Sequence, residues 1–419
     1  MTQKQPDLPA HEATPGFNGL GIAPKLLEIL SKSGFVTPTS IQSKAIPIAI
    51  EGKDIIGIAQ TGTGKTLAFG VPLIQQILKA GKGKGLVILP TRELALQVNE
   101  SLQKIGRTFG IKTVVLIGGA PIRPQINSLR QNPHIIIGTP GRICDHMMQR
   151  TLNLHDANIL VLDEADRMFD MGFAKQVNTI LHALPKQRQT MLFSATMPDS
   201  IANIASKHMK LPLRVEIARA GTTAAKIDQE LFVVRKDQKL PLLKRLLHEY
   251  KGSVLIFLRL KHNARKICYE LRNIGISAAE IHSNRSLGQR KEALEGFKLG
   301  RYRVLVATDI ASRGIDVKGI ELVINFDLPE NSEDYVHRIG RTGRAGLAGK
   351  AISFAMPDQG SKVRDIERLT RVYLPISKLP DLVIPAYQGP AIVEPAPRPS
   401  HYPSNRHHRP ARPHYRKRY

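Results

Sequence analysis

The sequence predicts two consecutive α/β domains, each built on a parallel sheet. Two series of short, wholly apolar runs alternate with helical stretches, as strands covered on both faces should. A segment of small residues at 218–226 separates the two series and is predicted to be a hinge. We therefore expect one domain at 17–217 and another at 227–385, with a flexible N-terminus at 1–16 and a disordered basic tail at 386–419.

The strands are predicted from runs that lack a polar face. The first series comprises 54–58, 86–89, 113–117, 135–137, 159–162 and 190–193, and the second comprises 254–258, 304–306, 322–324 and 351–354. Continuous apolar runs of this length favour strands that are buried under helices.

A phosphate-binding loop is predicted directly after the first run. It consists of Ala59, Gln60, Thr61, Gly62, Thr63, Gly64, Lys65 and Thr66. The glycines let backbone N–H groups surround phosphate oxygens, Lys65 brings a charge to the β- and γ-phosphates, and Thr66 offers a hydroxyl to Mg²⁺. Taken alone, such a loop can be a simple turn.

An acidic motif follows the run at 159–162. It consists of Asp163, Glu164, Ala165 and Asp166. Asp163 can hold Mg²⁺, partly through water, while Glu164 orients and deprotonates a water molecule. An acidic pair alone can be a solvated strand end, but the two motifs in this order on strand ends predict hydrolysis of a nucleoside triphosphate.

The charge of the chain predicts a polyanionic partner. Lys and Arg number 61 against 35 Asp and Glu, which gives a net charge of +26. The tail from Ala386 holds seven basic residues and one acidic residue, so most of the excess belongs to the rest of the chain. A basic surface tuned for solubility is the alternative.

The cysteines and the hydropathy pattern predict a cytoplasmic protein. Cys144 and Cys268 are far apart in sequence and lack metal-ligand spacing, which favours a reducing compartment. We expect no membrane span, since apolar runs stay well below about 20 residues. The N-terminus lacks the apolar core of an export signal.

The motifs in this order resemble one family, the DEAD-box ATP-dependent RNA helicases. The resemblance extends from Phe17 to Gly346 and includes 34–42, which look like the family's Q motif. It implies two tandem RecA-like domains with a single interdomain nucleotide site, and ATP and Mg²⁺ as cofactors. It also implies that Gln42 reads the adenine edge and that Phe17 stacks on the ring, with a helix-surface amide and a packing residue as the alternatives.

The same resemblance assigns residues to RNA, to coupling and to the γ-phosphate. The predicted RNA ligands are Arg92, Gly118, Gly119, Thr139, Arg142, Arg290 and Thr308. Ser194 and Thr196 link the ATP site to strand separation, with a helix N-cap as the alternative. Asp316 bonds the ribose. Arg341 and Arg344, expected on one helical turn, act as arginine fingers.

Two positions depart from the family pattern. Leu287 stands where the family usually has the Gln of a Gln-x-x-Arg pair, and Ser283 stands where it commonly has glycine. Both concern predicted RNA contacts of the second domain. We therefore expect a changed grip on RNA and unchanged ATP chemistry.

The predicted function is that of an ATP-dependent RNA helicase. RNA-stimulated ATP hydrolysis is expected to be coupled to local unwinding of short RNA duplexes or to remodelling of RNA–protein complexes, through sequence-independent backbone contacts. An ATP-gated RNA clamp or annealing chaperone is the alternative, because the same motifs build both. The compact core with its short basic tail looks most like the bacterial RhlE-like subgroup. We expect a monomer, with ribosomal particles or RNA-decay proteins as further partners.

Overall fold

Two parallel sheets form the framework of the molecule. The computed structural model describes residues 16–59, 62–81, 83–217, 227–308, 317, 319–343 and 349–380. One sheet lies on each side of the segment 218–226, so the predicted fold class of two parallel α/β domains is confirmed. The predicted domain limits stay predictions, and the hinge at 218–226 and the tail at 386–419 lie outside the described residues.

The first sheet has seven strands within the described residues. They are β1 (Ile55–Ile58), β2 (Lys84–Ile88), β3 (Thr113–Leu116), β4 (Ile135–Gly138), β5 (Ala157–Asp163), β6 (Gln189–Ser194) and β7 (Leu213–Glu216). Their spatial order is β3-β4-β2-β5-β6-β1-β7, and all neighbours are parallel. Parallel strands align their carboxyl ends along one edge, so the loops after β1, β5 and β6 meet there.

The second sheet has six strands within the described residues. They are β8 (Ile227–Val233), β9 (Val254–Leu258), β10 (Ala278–Ile281), β11 (Val304–Thr308), β12 (Leu322–Asn325) and β13 (Gly349–Ala355). Their order is β10-β11-β9-β12-β13-β8, again with parallel neighbours.

Helices connect the strands and cover both faces of each sheet. The first domain contains α1 (Pro24–Lys32), α2 (Ser40–Ile50), α3 (Lys65–Ala80), α4 (Arg92–Gly106), α5 (Ile122–Arg130), α6 (Pro140–Met148), α7 (Ala165–Asp170), α8 (Ala174–Ala183) and α9 (Asp199–His208). The second contains α10 (Lys239–Glu249), α11 (Lys261–Asn273), α12 (Leu287–Lys298), α13 (Ser332–Ile339) and α14 (Gly360–Thr370). In the described part of the chain, no helix has the length and apolar character that crossing a membrane requires.

Burial on both faces explains why the strands read as apolar runs. Strands β1, β4 and β9 are buried at every position. In β2, Val87 packs into the apolar cluster on one face, while Leu86 and Ile88 pack into the cluster on the other. Successive side chains of a strand point to opposite faces, so a sheet with two covered faces requires apolar residues throughout.

Candidate nucleotide site and nucleic-acid interface

The loop between β1 and α3 has the conformation of a phosphate cradle. Gly62 and Gly64 adopt positive φ angles of 85° and 93°, which residues with a side chain rarely adopt. A Cβ atom at Gly64 would also overlap the side chain of Gln42. Gln60 and Thr61, assigned to the same loop, lie outside the described residues.

The other loop residues surround the start of α3. Ala59 is buried, and its N–H donates to the carbonyl of Ser194 at the end of β6 over 2.9 Å. Thr63 and Thr66 are half-buried on either side of Gly64 and Lys65. The cradle is thereby fixed to the strand beside β1.

Lys65, the first residue of α3, presents a buried ammonium group to the cradle. Its side chain is 6% exposed, and Nζ lies 3.6 Å from Asp163 Oδ1. Nζ has no hydrogen-bond partner among the described residues. Because a buried charge without a hydrogen-bond partner is costly, this position fits the phosphate oxygens that the sequence predicts.

Asp163 and Glu164 leave the carboxyl end of β5 beside that ammonium group. Glu164 has a left-handed φ of 53°, and its N–H donates to Asp163 Oδ1 over 2.9 Å. Burial raises the pKa of Asp163 to about 6, against the opposing effect of Lys65. The Asp163 carboxylate and the Thr66 hydroxyl are oxygen donors, the ligand type that Mg²⁺ prefers.

Glu164 is held as a charged carboxylate. Burial alone would raise its pKa, but Arg167, Lys65 and Arg341 outweigh burial and lower the pKa to about 2. Arg167 Nη1 donates to Glu164 Oε2 over 3.0 Å. An ionised carboxylate can orient water, whereas a pKa this low disfavours proton abstraction in the arrangement seen here. Arg167 carries no sequence-based assignment; it lies in the first turn of α7, three residues after Glu164, the N-cap residue of that helix.

Asp166 connects the acidic motif to the segment after β6. Its Oδ2 atom accepts from the N–H groups of Ala195 and Thr196 over 3.1 and 2.9 Å, and from Thr196 Oγ1 over 3.0 Å. Its own N–H donates to Ser194 Oγ over 3.2 Å. The cap of α9 is Pro198, so the N-cap alternative for Ser194 and Thr196 is not observed. The sequence places Asp166 in the acidic motif but predicts no role for it.

The second domain brings basic groups to the same carboxylate. Arg341, just beyond α13, is buried and contributes to the low pKa of Glu164. The pKa of His337 lies well below its usual value, first because of burial and then because of Arg167. Groups from both domains therefore meet at Glu164.

Arg341 lies in a turn just beyond α13, where its N–H donates to the carbonyl of Arg338 over 3.1 Å, and the helical turn expected to carry both arginine fingers stays a prediction. Helix α13 ends at Ile339, and Gly340 is its C-cap residue. Arg344 and Asp316 lie outside the described residues, so their roles stay predictions.

Gln42 ties the predicted adenine pocket to the phosphate cradle. Its Nε2 donates to the carbonyl of Gly64 over 3.0 Å, and its Oε1 accepts from Thr39 N–H over 2.9 Å. Each end of the amide keeps one further hydrogen-bonding capacity. Phe17 is buried in the apolar cluster of the first domain. Adenine recognition by Gln42 and Phe17 stays a prediction.

The predicted RNA residues of the first domain converge at the carboxyl ends of three strands. Arg92 follows β2, Gly118 and Gly119 follow β3, and Thr139 and Arg142 follow β4. Gly119 has a φ of 74°, and a Cβ atom there would overlap the guanidinium of Arg92. Arg142 Nη1 donates to the carbonyl of Ala120 over 3.0 Å. The structure brings these residues together, and their contact with RNA stays a prediction.

The second-domain residues assigned to RNA lie in two different settings. Thr308 is the buried last residue of β11. Arg290, on α12, forms an ion pair with Glu93 on α4 of the first domain. Leu287, one turn earlier, is partly buried against the apolar cluster of the first domain. This face of α12 thus contacts the first domain, and an RNA contact of Arg290 stays a prediction.

Comparison with known proteins gives the family of the chain. The DEAD/DEAH box helicase family matches residues 39–204, and the helicase conserved C-terminal domain matches residues 238–346. The DEAD-box ATP-dependent RNA helicase CshA of Geobacillus kaustophilus (strain HTA426) is 42% identical over 368 residues, covering 87% of this chain and 79% of that protein. The chain belongs to the DEAD-box helicase family. A second relative, the ATP-dependent RNA helicase CshA of Listeria monocytogenes serovar 1/2a (strain ATCC BAA-679 / EGD-e), is 44% identical over 357 residues, covering 85% and 69%.

Two solved structures share the fold. S. cerevisiae Dbp5 bound to RNA and ADP BeF3 matches with a TM-score of 0.77 at 30% identity, covering 85% of this chain and 93% of that one. Mss116p bound to ssRNA and AMP-PNP matches with a TM-score of 0.79 at 26% identity, covering 87% and 79%. The prediction of two RecA-like domains is confirmed.

Proposed function

We propose that this DEAD-box chain is an ATP-dependent RNA helicase whose RNA-stimulated ATP hydrolysis is coupled to local unwinding of short duplexes or remodelling of RNA–protein complexes. The proposal is carried by the placement of Lys65, Asp163 and Glu164 at neighbouring strand ends, with Arg341 of the second domain among the cations that lower the pKa of Glu164. The hydrolytic groups are therefore complete only when the domains meet. The names of the relatives and the RNA-bound structures of similar chains support RNA as the ligand that favours this closure.

The proposed reaction is attack of water on the γ-phosphorus of ATP, which breaks the bond to the β–γ bridging oxygen and gives ADP and phosphate. Lys65 binds phosphate oxygens, Glu164 orients the water, and Arg341 stabilises charge on the transferring phosphoryl group. Asp163 and Thr66 would hold Mg²⁺, which supplies neutralisation of phosphate charge. The negative phosphates offset the cations around Glu164, which raises its pKa and lets it take the proton of water.

The remaining assignments complete the nucleotide site. We propose that Gln42 and Phe17 bind adenine, that Asp316 binds the ribose, and that Arg344 is the second arginine finger. The hydrogen bonds of Asp166 support coupling through Ser194 and Thr196, because they join the acidic motif after β5 to the end of β6 and the segment that follows it.

The proposed RNA path crosses the carboxyl ends of both sheets. The glycines and arginines after β2, β3 and β4, together with Thr308, are suited to sugar-phosphate contacts that fix position and carry no base information. Gripping one strand in a shape that a duplex cannot adopt would open the pairs locally.

An ATP-gated RNA clamp or annealing chaperone is the second candidate, favoured by the interdomain ion pair of Glu93 and Arg290, which would stabilise a long-lived closed state. The RhlE-like subgroup stays a prediction, since the relatives described above carry the name CshA. A cytoplasmic monomer that meets ribosomal particles or RNA-decay proteins is the proposed cellular setting.

The test combines two measurements on the full chain. ATP turnover is measured with and without single-stranded RNA, and strand separation is measured on a short RNA duplex with ATP and with a non-hydrolysable analogue. A helicase shows RNA-stimulated turnover and ATP-dependent separation. RNA-stimulated turnover without strand separation of the duplex would replace the helicase by the clamp.

A further inference from the structure

A buried glutamine clamps the loop that follows β3. Of the nine residues of α5, Gln125 is the one that is buried. Its Oε1 accepts from Ile117 N–H over 3.2 Å, and its Nε2 donates to the carbonyls of Ile117 and Pro121 over 3.1 and 3.2 Å. These bonds hold both ends of the segment that contains Gly118 and Gly119. An apolar residue could fill the same space but could not make them.

A buried histidine on helix α6 reaches the same glutamine. His146, on α6, is buried, with Nε2 at 3.4 Å from Gln125 Oε1 and Nδ1 at 2.8 Å from Thr151 Oγ1. Gln125 Oε1 can only accept, so the contact places a ring proton on Nε2, while the single hydroxyl proton of Thr151 is shared between Nδ1 and the carbonyl of His146, which lies 3.1 Å from Oγ1. Both ring nitrogens therefore have defined partners.

The two loops are also joined at their exposed side. Arg142 lies one turn before His146 on α6, and its Nη1 donates to the carbonyl of Ala120, the residue after Gly119. The contacts of Gln125 and His146 thus lie beneath the surface at which Arg142 and the two glycines meet solvent.

We propose that Gln125 and His146 are positioning residues that fix the spacing between Gly118–Gly119 and Thr139–Arg142, so that both loops engage the same RNA backbone. The role rests on the proposed function, in which these loops bind RNA. Phosphate contacts set the register of a protein on its nucleic acid, so two contact groups act together only at a fixed separation. Neither side chain touches RNA or ATP in this role.

The test uses Gln125→Met and His146→Phe, which keep size and burial but remove the hydrogen bonds between the loops. The RNA concentration that gives half-maximal ATP turnover is expected to rise about tenfold, as displaced contact groups lose their joint geometry. The KM for ATP and kcat at saturating RNA should stay within about twofold, because the cradle and Glu164 lie outside the clamp. His146→Phe leaves the bonds of Gln125 to Ile117 and Pro121 in place. Its RNA dependence can therefore still be measured if Gln125→Met is not folded at the assay temperature.

Gln189→Met is the matched control. Gln189 is 7% exposed, as is Gln125, and its Nε2 donates to the carbonyls of Ala49 and Lys53, but it lies at the amino end of β6, on the opposite edge of the sheet. Gln189→Met should lower the melting temperature and leave the RNA concentration for half-maximal ATP turnover unchanged. A wild-type chain without RNA stimulation would remove the proposed function and this role with it. Two outcomes would overturn the positioning role alone, provided that RNA stimulates the wild type. In one, Gln125→Met and His146→Phe need the same RNA concentration for half-maximal turnover as the wild type. In the other, Gln189→Met raises that concentration as much as they do.

Discussion

Arg290 on α12 and Glu93 on α4 form an ion pair that joins the two domains. Their side chains are 7% and 6% exposed. Burial raises the pKa of Glu93, and Arg290 opposes this effect. Glu93 follows Arg92, a predicted RNA ligand. The contact between the domains and the predicted RNA surface therefore involve neighbouring residues.

The first prediction concerns this pair. Arg290→Met leaves Glu93 charged and unpaired when the domains close, and breaking a buried pair in this way costs roughly 3–5 kcal/mol when burial is complete. The RNA concentration for half-maximal ATP turnover should therefore rise at least about tenfold. The double variant Glu93→Leu/Arg290→Met should recover part of the loss, because no lone charge is then buried.

The control for this prediction lies next to it on the same helix. Lys291 forms an exposed pair with Glu295, so Lys291→Met should have little effect. If Arg290 acts only as an RNA ligand, the double variant will be no better than Arg290→Met, and Glu93 will show no coupling to it.

The pair of Arg290 and Glu93 shows what the sequence could predict and what it could not. The motif containing Arg290 was recognisable, but its partner is a distant residue that only the packing of two domains brings near. Leu287 stood out as a departure from the family pattern, and its contact with the first domain was likewise invisible in the sequence. Local motifs predict chemistry, whereas interdomain contacts depend on the tertiary arrangement.

The strands show the same division. The inner strands were predictable because burial on both faces makes them apolar throughout. Strands β7, β8 and β10 were not predicted, and each lies at an edge of its sheet. Leu213–Glu216 and Ile227–Val233 carry polar residues at exposed positions, and Ala278–Ile281 contains Glu280, which pairs with Arg285. Edge strands need fewer apolar residues, so they leave a weaker pattern.

The second prediction concerns hydrolysis. Glu164→Gln removes the charge and the basicity that water activation requires while keeping the shape of the side chain. Turnover at saturating RNA should fall by about 10²–10⁴, with ATP and RNA binding retained. Glu100→Gln, at an exposed position of α4, is the control and should match the wild type. Turnover of Glu164→Gln within about threefold of the wild type would remove Glu164 from this role.

The third prediction concerns coupling between hydrolysis and strand separation. Thr196→Val deletes the hydroxyl bond to Asp166 Oδ2 and keeps the backbone N–H bond to the same atom. The lost bond is worth about 1 kcal/mol, so ATP turnover should change little while duplexes opened per ATP fall about fivefold. Thr179→Val, which removes an exposed hydroxyl bond within α8, is the control. An equal loss of turnover and unwinding would show that Thr196 supports hydrolysis itself.

The fourth prediction separates two roles of Gln42. Its bond to the carbonyl of Gly64 supports the phosphate cradle, whereas its remaining donor and acceptor suit the adenine edge. Loss of the cradle bond in Gln42→Ala should raise the KM for ATP and for GTP equally, because both carry the same phosphates. Loss of adenine recognition should raise the KM for ATP alone and weaken the preference for ATP over GTP.

We expect both effects in Gln42→Ala, with the larger loss for ATP. Steady-state turnover with each nucleotide at saturating RNA measures them. Gln76→Ala is the control, because Gln76 Nε2 donates to backbone carbonyls at the end of α2, at a distance from the cradle, and should alter neither KM. An undiminished preference for ATP in Gln42→Ala would assign Gln42 to the phosphate cradle and leave adenine to be read by other residues.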